Sequence, residues 1–132
     1  MVVDGSVLLA VLLRAPDAAR FDAALADAPV RLISALTRAE IACVIESRKG
    51  APGRTALERL LREGDIETAA VTPQQADLAA DAFRRFGQGR PSAALTLGDC
   101  FAYVLAQIVG LPLLFRDERF LQTDVIAALP PA

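Results

Sequence analysis

The chain has 132 residues, a net charge of −2, 54% apolar and 23% charged residues, and no histidine. This excludes a disordered chain and a passive phosphate-coating binder, which is normally basic. It also excludes every chemistry that needs imidazole, from Ser-His-Asp catalysis to histidine-ligated zinc.

Chemistry must therefore come from carboxylates, hydroxyls, arginines or a cofactor. All but one of the 14 basic residues are arginine, the exception being Lys49.

In chain order, residues 1–3 predict a buried strand broken at Asp4-Gly5-Ser6, and residues 7–13 a helix ended near Pro16. Residues 17–28 carry Phe21, Ala24, Leu25 and Ala28 on one helical face, stopped before Pro29. Residues 30–34 predict a second strand, and residues 36–48 a helix entered through Thr37-Arg38-Ala39-Glu40. Lys49-Gly50-Ala51-Pro52-Gly53 is the clearest turn. A helix over 55–62 follows, ended by Gly64, then a strand over 66–71. Pro73 opens a helix to Phe86, and residues 87–94 form a loop carrying Arg90. Residues 97–109 form the most apolar helix, capped by Gly110. Strands are expected at 113–115 and near Val125-Ile126.

Short apolar strands alternating with amphipathic helices mean a parallel sheet covered on both faces, in a single α/β domain over 1–132. Cys43 and Cys100 fall in apolar helical patterns with no metal-site spacing, and both are expected to be buried. Residues 7–13 lack a preceding basic residue, and the apolar run 100–115 is broken by Gln107, Gly110 and Pro112. Neither reads as a signal peptide or a membrane span, so a cytoplasmic protein is expected.

Ligands bind outside the carboxyl ends of parallel strands. Asp4 follows the first strand, with Ser6 two residues on. Glu40 follows the second, Asp99 opens the most apolar helix, and Asp117 follows the fourth strand. Each has a local reading: a turn or cap for Asp4, a capping box with Thr37 for Glu40, a helix-dipole acid for Asp99, a turn former for Asp117. Together they ask for more. Two carboxylates ~5 Å apart repel by roughly 3 kcal/mol at an effective dielectric of ~20. A hard divalent cation, Mg²⁺ or Mn²⁺, is the natural counter-charge.

Several stretches carry a family resemblance: Met1-Val-Val-Asp4-Gly-Ser6, Ser34-Ala-Leu-Thr37-Arg-Ala-Glu40-Ile41, Ala82-Phe83-Arg84-Arg85-Phe86-Gly87, Leu97-Gly-Asp99-Cys-Phe-Ala-Tyr103, and Leu113-Leu-Phe-Arg-Asp117-Glu-Arg-Phe120-Leu-Gln-Thr123-Asp124. Over residues 1–126 the chain resembles the PIN-domain ribonucleases, and more narrowly the VapC-type toxins of toxin–antitoxin pairs. The resemblance implies a three-layer α/β/α sandwich and Mg²⁺- or Mn²⁺-dependent endonucleolytic cleavage of RNA. Its metal-binding and catalytic acids fall on Asp4, Glu40, Asp99 and Asp117, with Glu118 in reserve and Ser6 beside the first. It also implies an antitoxin of VapB type over the acidic cleft.

Three features depart from the family pattern. Arg119 stands where an acid is common, Thr96 where Asn is common, and Pro91-Ser92 where a histidine is common. Arg84, Arg85, Arg90, Arg116 and Arg119 are candidates to steer phosphate. The apolar stretches at 7–13, 36–45 and 57–61 suggest a homodimer. Two other classes compete: a PIN-like module that only binds or dimerises, and a Mg²⁺-dependent phosphohydrolase or phospho-receiver. The second wants a lysine after a late strand, whereas Lys49 lies in the Gly/Pro turn.

Overall fold

The computed structural model describes residues 1–87, 89 and 93–130. Four short parallel strands form the sheet: β1 (Val2–Val3), β2 (Leu32–Ser34), β3 (Glu67–Ala69) and β4 (Leu113–Leu114), in the order β3-β2-β1-β4. Five helices cover it: α1 (Gly5–Leu12), α2 (Ala18–Asp27), α3 (Ala35–Glu63), α4 (Pro73–Phe86) and α5 (Leu97–Val109).

The strand alternation sorts the core into two layers. Val2 and Leu113 face one way, into a cluster with Ala79, Ala82, Cys100, Tyr103, Val104 and Phe120. Val3, Ile33 and Leu114 face the other way, against Val7, Leu8, Phe21, Ile41, Ile45 and Leu57. The sheet is therefore buried on both faces, and the architecture is the expected α/β/α sandwich.

The strand order switches at β1: it runs outward through β2 and β3, then returns to β4 on the other side of β1. Val2 pairs with Leu32 on one flank and Leu113 on the other. The crevice beyond the carboxyl ends of β1 and β4 is thus the place where such sheets bind ligands.

Several expectations are corrected at the element ends. The helix expected over 36–48 and that over 55–62 run as one element, Ala35–Glu63, interrupted at Gly50, whose φ of 66° only glycine adopts readily. Its N-cap is Ser34, whose Oγ accepts from the Leu36 amide at 3.3 Å. Thr37 is therefore inside the helix rather than at its entry, with its buried hydroxyl unpartnered among the described residues, and Glu40 stands in the second turn. Cys43 is exposed and Cys100 buried, because the buried face of α3 runs through Ile41, Ala42 and Ile45 and turns Cys43 outward.

A 3₁₀ helix, Glu118–Gln122, follows β4, and the strand expected near 125–126 reduces to a single parallel bridge between Leu113 and Ala127. The apolar stretches that suggested a homodimer are largely consumed by the core, where Val7, Leu8, Ile41, Ile45, Leu57 and Leu61 are buried. Among the described residues no helix is long and apolar enough to cross a membrane.

Candidate active site

Asp4 ends β1 and caps α1. It is 5% exposed, and its Oδ2 accepts from the Ser6 amide at 3.1 Å and the Ser6 hydroxyl at 2.6 Å. The Ser6 Oγ in turn accepts from the Arg116 amide at 3.0 Å. One hydroxyl thus ties the end of β1 to the segment leaving β4. The cap explains why Asp4 is held rigidly, and burial explains its chemistry. Desolvation, opposed by the Ser6 hydrogen bond and reinforced by the charge of Asp99, raises its carboxyl to about 6.

Asp99 is fixed by a reciprocal capping box at the start of α5. Its amide donates to Thr96 Oγ1 at 3.2 Å, and its Oδ2 accepts from the Thr96 amide at 2.9 Å. Thr96 therefore has a definite task where Asn is common in the family pattern: it orients the third acid.

Glu40 reaches the same crevice from α3. The residue as a whole is exposed, yet its carboxylate is tucked against the Cα of Gly98, where any Cβ would overlap both of its oxygens. That contact reconciles the exposure with the raised carboxyl of Glu40, caused first by burial and then by the charge of Asp99. Gly5 serves packing in the same way on the opposite face of the sheet, since a Cβ there would come within 2.6 Å of the Ile41 side chain. It lets α1 approach α3 closely, next to Asp4.

Asp117 and Arg119 complete the group. Arg119 grips Asp117 with its Nε at 3.0 and 2.9 Å and with Nη2, which also reaches Asp99 Oδ2 at 2.9 Å. Its Nη1 donates to the Ala94 carbonyl at 2.9 Å. The guanidinium holds the Asp117 carboxyl below the ordinary range. It is itself raised by its bond to Asp117 and by the charges of Asp99, Asp117 and Asp4. No sequence spacing links Arg119 to Asp99, and the sequence reading missed this contact. Glu118 is exposed and lines a different groove with Asp17, Arg20 and Arg116.

The structure thus brings Asp4 and Glu40 each within electrostatic reach of Asp99, with Asp117 engaged by an arginine. As to a divalent ion, the donors fit in kind: they are all hard oxygens, and burial and neighbouring charge hold Asp4 and Glu40 in need of a counter-charge. A ready-made cage is not drawn up, since among the described residues no group of three metal-ligating side chains converges closely enough to hold an ion. Asp4, Glu40 and Asp99 are the residues that would hold one.

Of the candidate phosphate-steering arginines, Arg116 is paired with Asp17 at 2.8 Å, and Arg119 is committed within the cleft. Arg84 and Arg85 are exposed, in longer ion pairs with Asp81 at 3.5 Å and Asp124 at 4.0 Å. Arg90 and Pro91-Ser92 lie outside the described residues.

Comparison with known proteins agrees with this architecture. The PIN domain family model matches residues 1–126. A protein named Ribonuclease VapC from Mycolicibacterium smegmatis is 48% identical over 127 residues, spanning 96% of this chain and 98% of the relative. Ribonuclease VapC30 from Mycobacterium tuberculosis is 45% identical over 131 residues, spanning 99% and 100%. Among solved structures, Mycobacterium tuberculosis VapC20, described as a sarcin–ricin loop cleaving toxin, superposes with a TM-score of 0.81 at 16% identity, over 98% of each chain. A central parallel sheet with acids beyond its carboxyl ends, matched nearly end to end by these relatives, places the chain in the PIN-domain family, in its VapC-type branch.

Proposed function

We propose that the chain is a divalent-metal-dependent endoribonuclease toxin held in check by a VapB-type antitoxin. The observation that carries the reading is that Asp4 at the end of β1 and Glu40 on α3 are both raised partly by the charge of Asp99 on α5. The relatives named as ribonucleases support RNA as the substrate.

When bound, Mg²⁺ or Mn²⁺ would offset negative charge on the scissile phosphate and make water easier to deprotonate. The residues that would hold it are Asp4, Glu40 and Asp99. Asp4 and Asp99 are rigid, being fixed by caps at the end of β1 and the start of α5. Glu40 reaches in from α3 on a longer side chain, and its raised carboxyl suits it to take a proton from the attacking water at one carboxylate oxygen. Ser6 keeps the Asp4 carboxylate oriented. Asp117 acts through Arg119, and Arg84 and Arg85 supply exposed positive charge for the RNA backbone.

The same proposal includes a single domain over 1–132, a cytoplasmic setting, and an antitoxin segment over the acidic crevice. It also includes a homodimer. Leu78 on α4 and Ile108 and Val109 on α5 remain exposed and offer apolar surface for pairing. Light scattering of the purified chain checks the dimer.

The competing reading, a binding module without activity, draws on Arg119 occupying the cleft. One experiment separates them. Purified wild type and Asp4→Asn are incubated with RNA in Mg²⁺, in Mn²⁺ and in chelator. Cutting that needs both metal and Asp4 supports the nuclease; no cutting by wild type in either metal, with the antitoxin absent, supports the binding module.

A further inference from the structure

Arg119 is the one cation built into the acidic crevice among the described residues, and it is anchored from three directions. Asp117 takes the guanidinium side-on, Asp99 takes Nη2, and the Ala94 carbonyl takes Nη1. Ala94 holds a left-handed backbone conformation, with φ of 57°, which a non-glycine residue adopts only at a cost. That conformation belongs to the residue whose carbonyl Arg119 uses.

The contacts also use up particular atoms. Asp99 Oδ2 already accepts from both Thr96 and Arg119, which leaves Oδ1 as its open donor to a metal. Both oxygens of Asp117 accept from Arg119. A cation shared between Asp99 and Asp117 would have to displace the guanidinium from that position. The remaining carboxylates, Asp4, Glu40 and Oδ1 of Asp99, carry charge enough for one divalent ion beside the Arg119–Asp117 pair, and not for two.

We propose that Arg119 is a positioning residue that fills the place of a second cation, so that the site takes a single divalent ion, weakly, while the guanidinium holds Asp99 aligned. This rests on the metal-dependent reading above. Arg119 acts on the ion through charge repulsion and through Asp99, and touches neither ion nor water itself.

The test is a Mn²⁺ titration by calorimetry of the full chain as wild type, Arg119→Gln, Arg119→Lys, Arg119→Asp and Asp99→Asn, with circular dichroism to confirm folding. The expected result is one ion per wild-type chain. Affinity should rise about tenfold or more in Arg119→Gln, the scale of removing a unit charge near a divalent ion at an effective dielectric of about 20. It should stay near wild type in Arg119→Lys, and a second ion should bind in Arg119→Asp. A merely structural role would leave Mn²⁺ affinity indifferent to the sign of the charge at 119. Two ions per wild-type chain, or Asp99-dependent binding that ignores every change at 119, overturns this inference and leaves the metal site standing. Binding unaffected by Asp99→Asn, or no binding in any variant, overturns both.

Discussion

The carboxylate of Glu40 lies where a side chain on Gly98 would have to be. The glycine before the third acid is therefore the floor on which the second acid rests. Replacing Gly98 by Ala forces the Glu40 carboxylate away from Asp99. Because that carboxylate is the far end of a flexible side chain, the cost in stability is expected near the lower end of the roughly 1–3 kcal/mol range for overpacking, while RNA cleavage falls at least about tenfold. Melting and cleavage rate measured on the same preparation check both halves. A Gly98→Ala protein with full activity would detach Glu40 from the site.

Asp4 makes the protein's stability depend on pH in a direction that can be worked out. Its carboxyl stands at about 6 when folded, against an ordinary value of 3.8. Between those values the folded state keeps a proton that the unfolded chain has released. The contribution is therefore fully present below about pH 4 and is lost as pH rises through about 6. In chelator, wild type should lose up to about 3 kcal/mol relative to Asp4→Asn between pH 4 and pH 7. Denaturant melts at several pH values measure the difference; parallel curves for the two proteins would contradict the burial argument.

Ser6 links Asp4 to the Arg116 amide. Ser6→Ala leaves the buried Asp4 oxygen short of a donor, at a cost of about 1–3 kcal/mol, and hands the exposed Arg116 amide to water. It should raise the Asp4 carboxyl further, because a bond that favours its charged form is gone. The acid limb of a cleavage–pH profile should move to higher pH in the variant.

Cys43 and Cys100 should differ sharply in reactivity. Cys43 is exposed, whereas Cys100 is buried and its thiol is pushed up to about 11 by burial and by Asp99. A disulfide reagent should label one thiol of the folded protein quickly and the second at least about a hundredfold more slowly. The fast phase should vanish in Cys43→Ser.

The parallel sheet was legible because β-branched and leucine runs alternate with helical faces, and Pro73, Gly64 and Gly110 mark helix ends by local chemistry. The places of Asp4, Asp99 and Asp117 at the sheet's carboxyl edge were legible because each follows a strand or opens a helix, and that of Glu40 because it lies early in the helix after β2. What depended on helix phase or tertiary contact was hidden. Thr37 looks like the cap in the sequence, and the actual helix start gives that role to Ser34 instead. Cys43 lies among apolar neighbours, yet its place on the helix turns it outward. The helix at Glu118–Gln122 is too short to leave a period in the sequence. Arg119 looks like a surface arginine until Asp117 on its own turn and Ala94 and Asp99 at the entry of α5 close around it.

The central claim, that these acids do chemistry together rather than only cap helices, is tested most directly at Asp99, whose charge is felt by Asp4, Glu40 and Arg119 alike. The measurement is the Mn²⁺-dependent RNA cleavage rate of Asp99→Asn beside wild type, with circular dichroism to confirm that both are folded. Asparagine can still accept from the Thr96 amide, so the cap and the fold should persist. The account predicts a loss of at least about a hundredfold with the fold intact. Undiminished cleavage by a folded Asp99→Asn protein would contradict it, and would leave the acids as caps and turns.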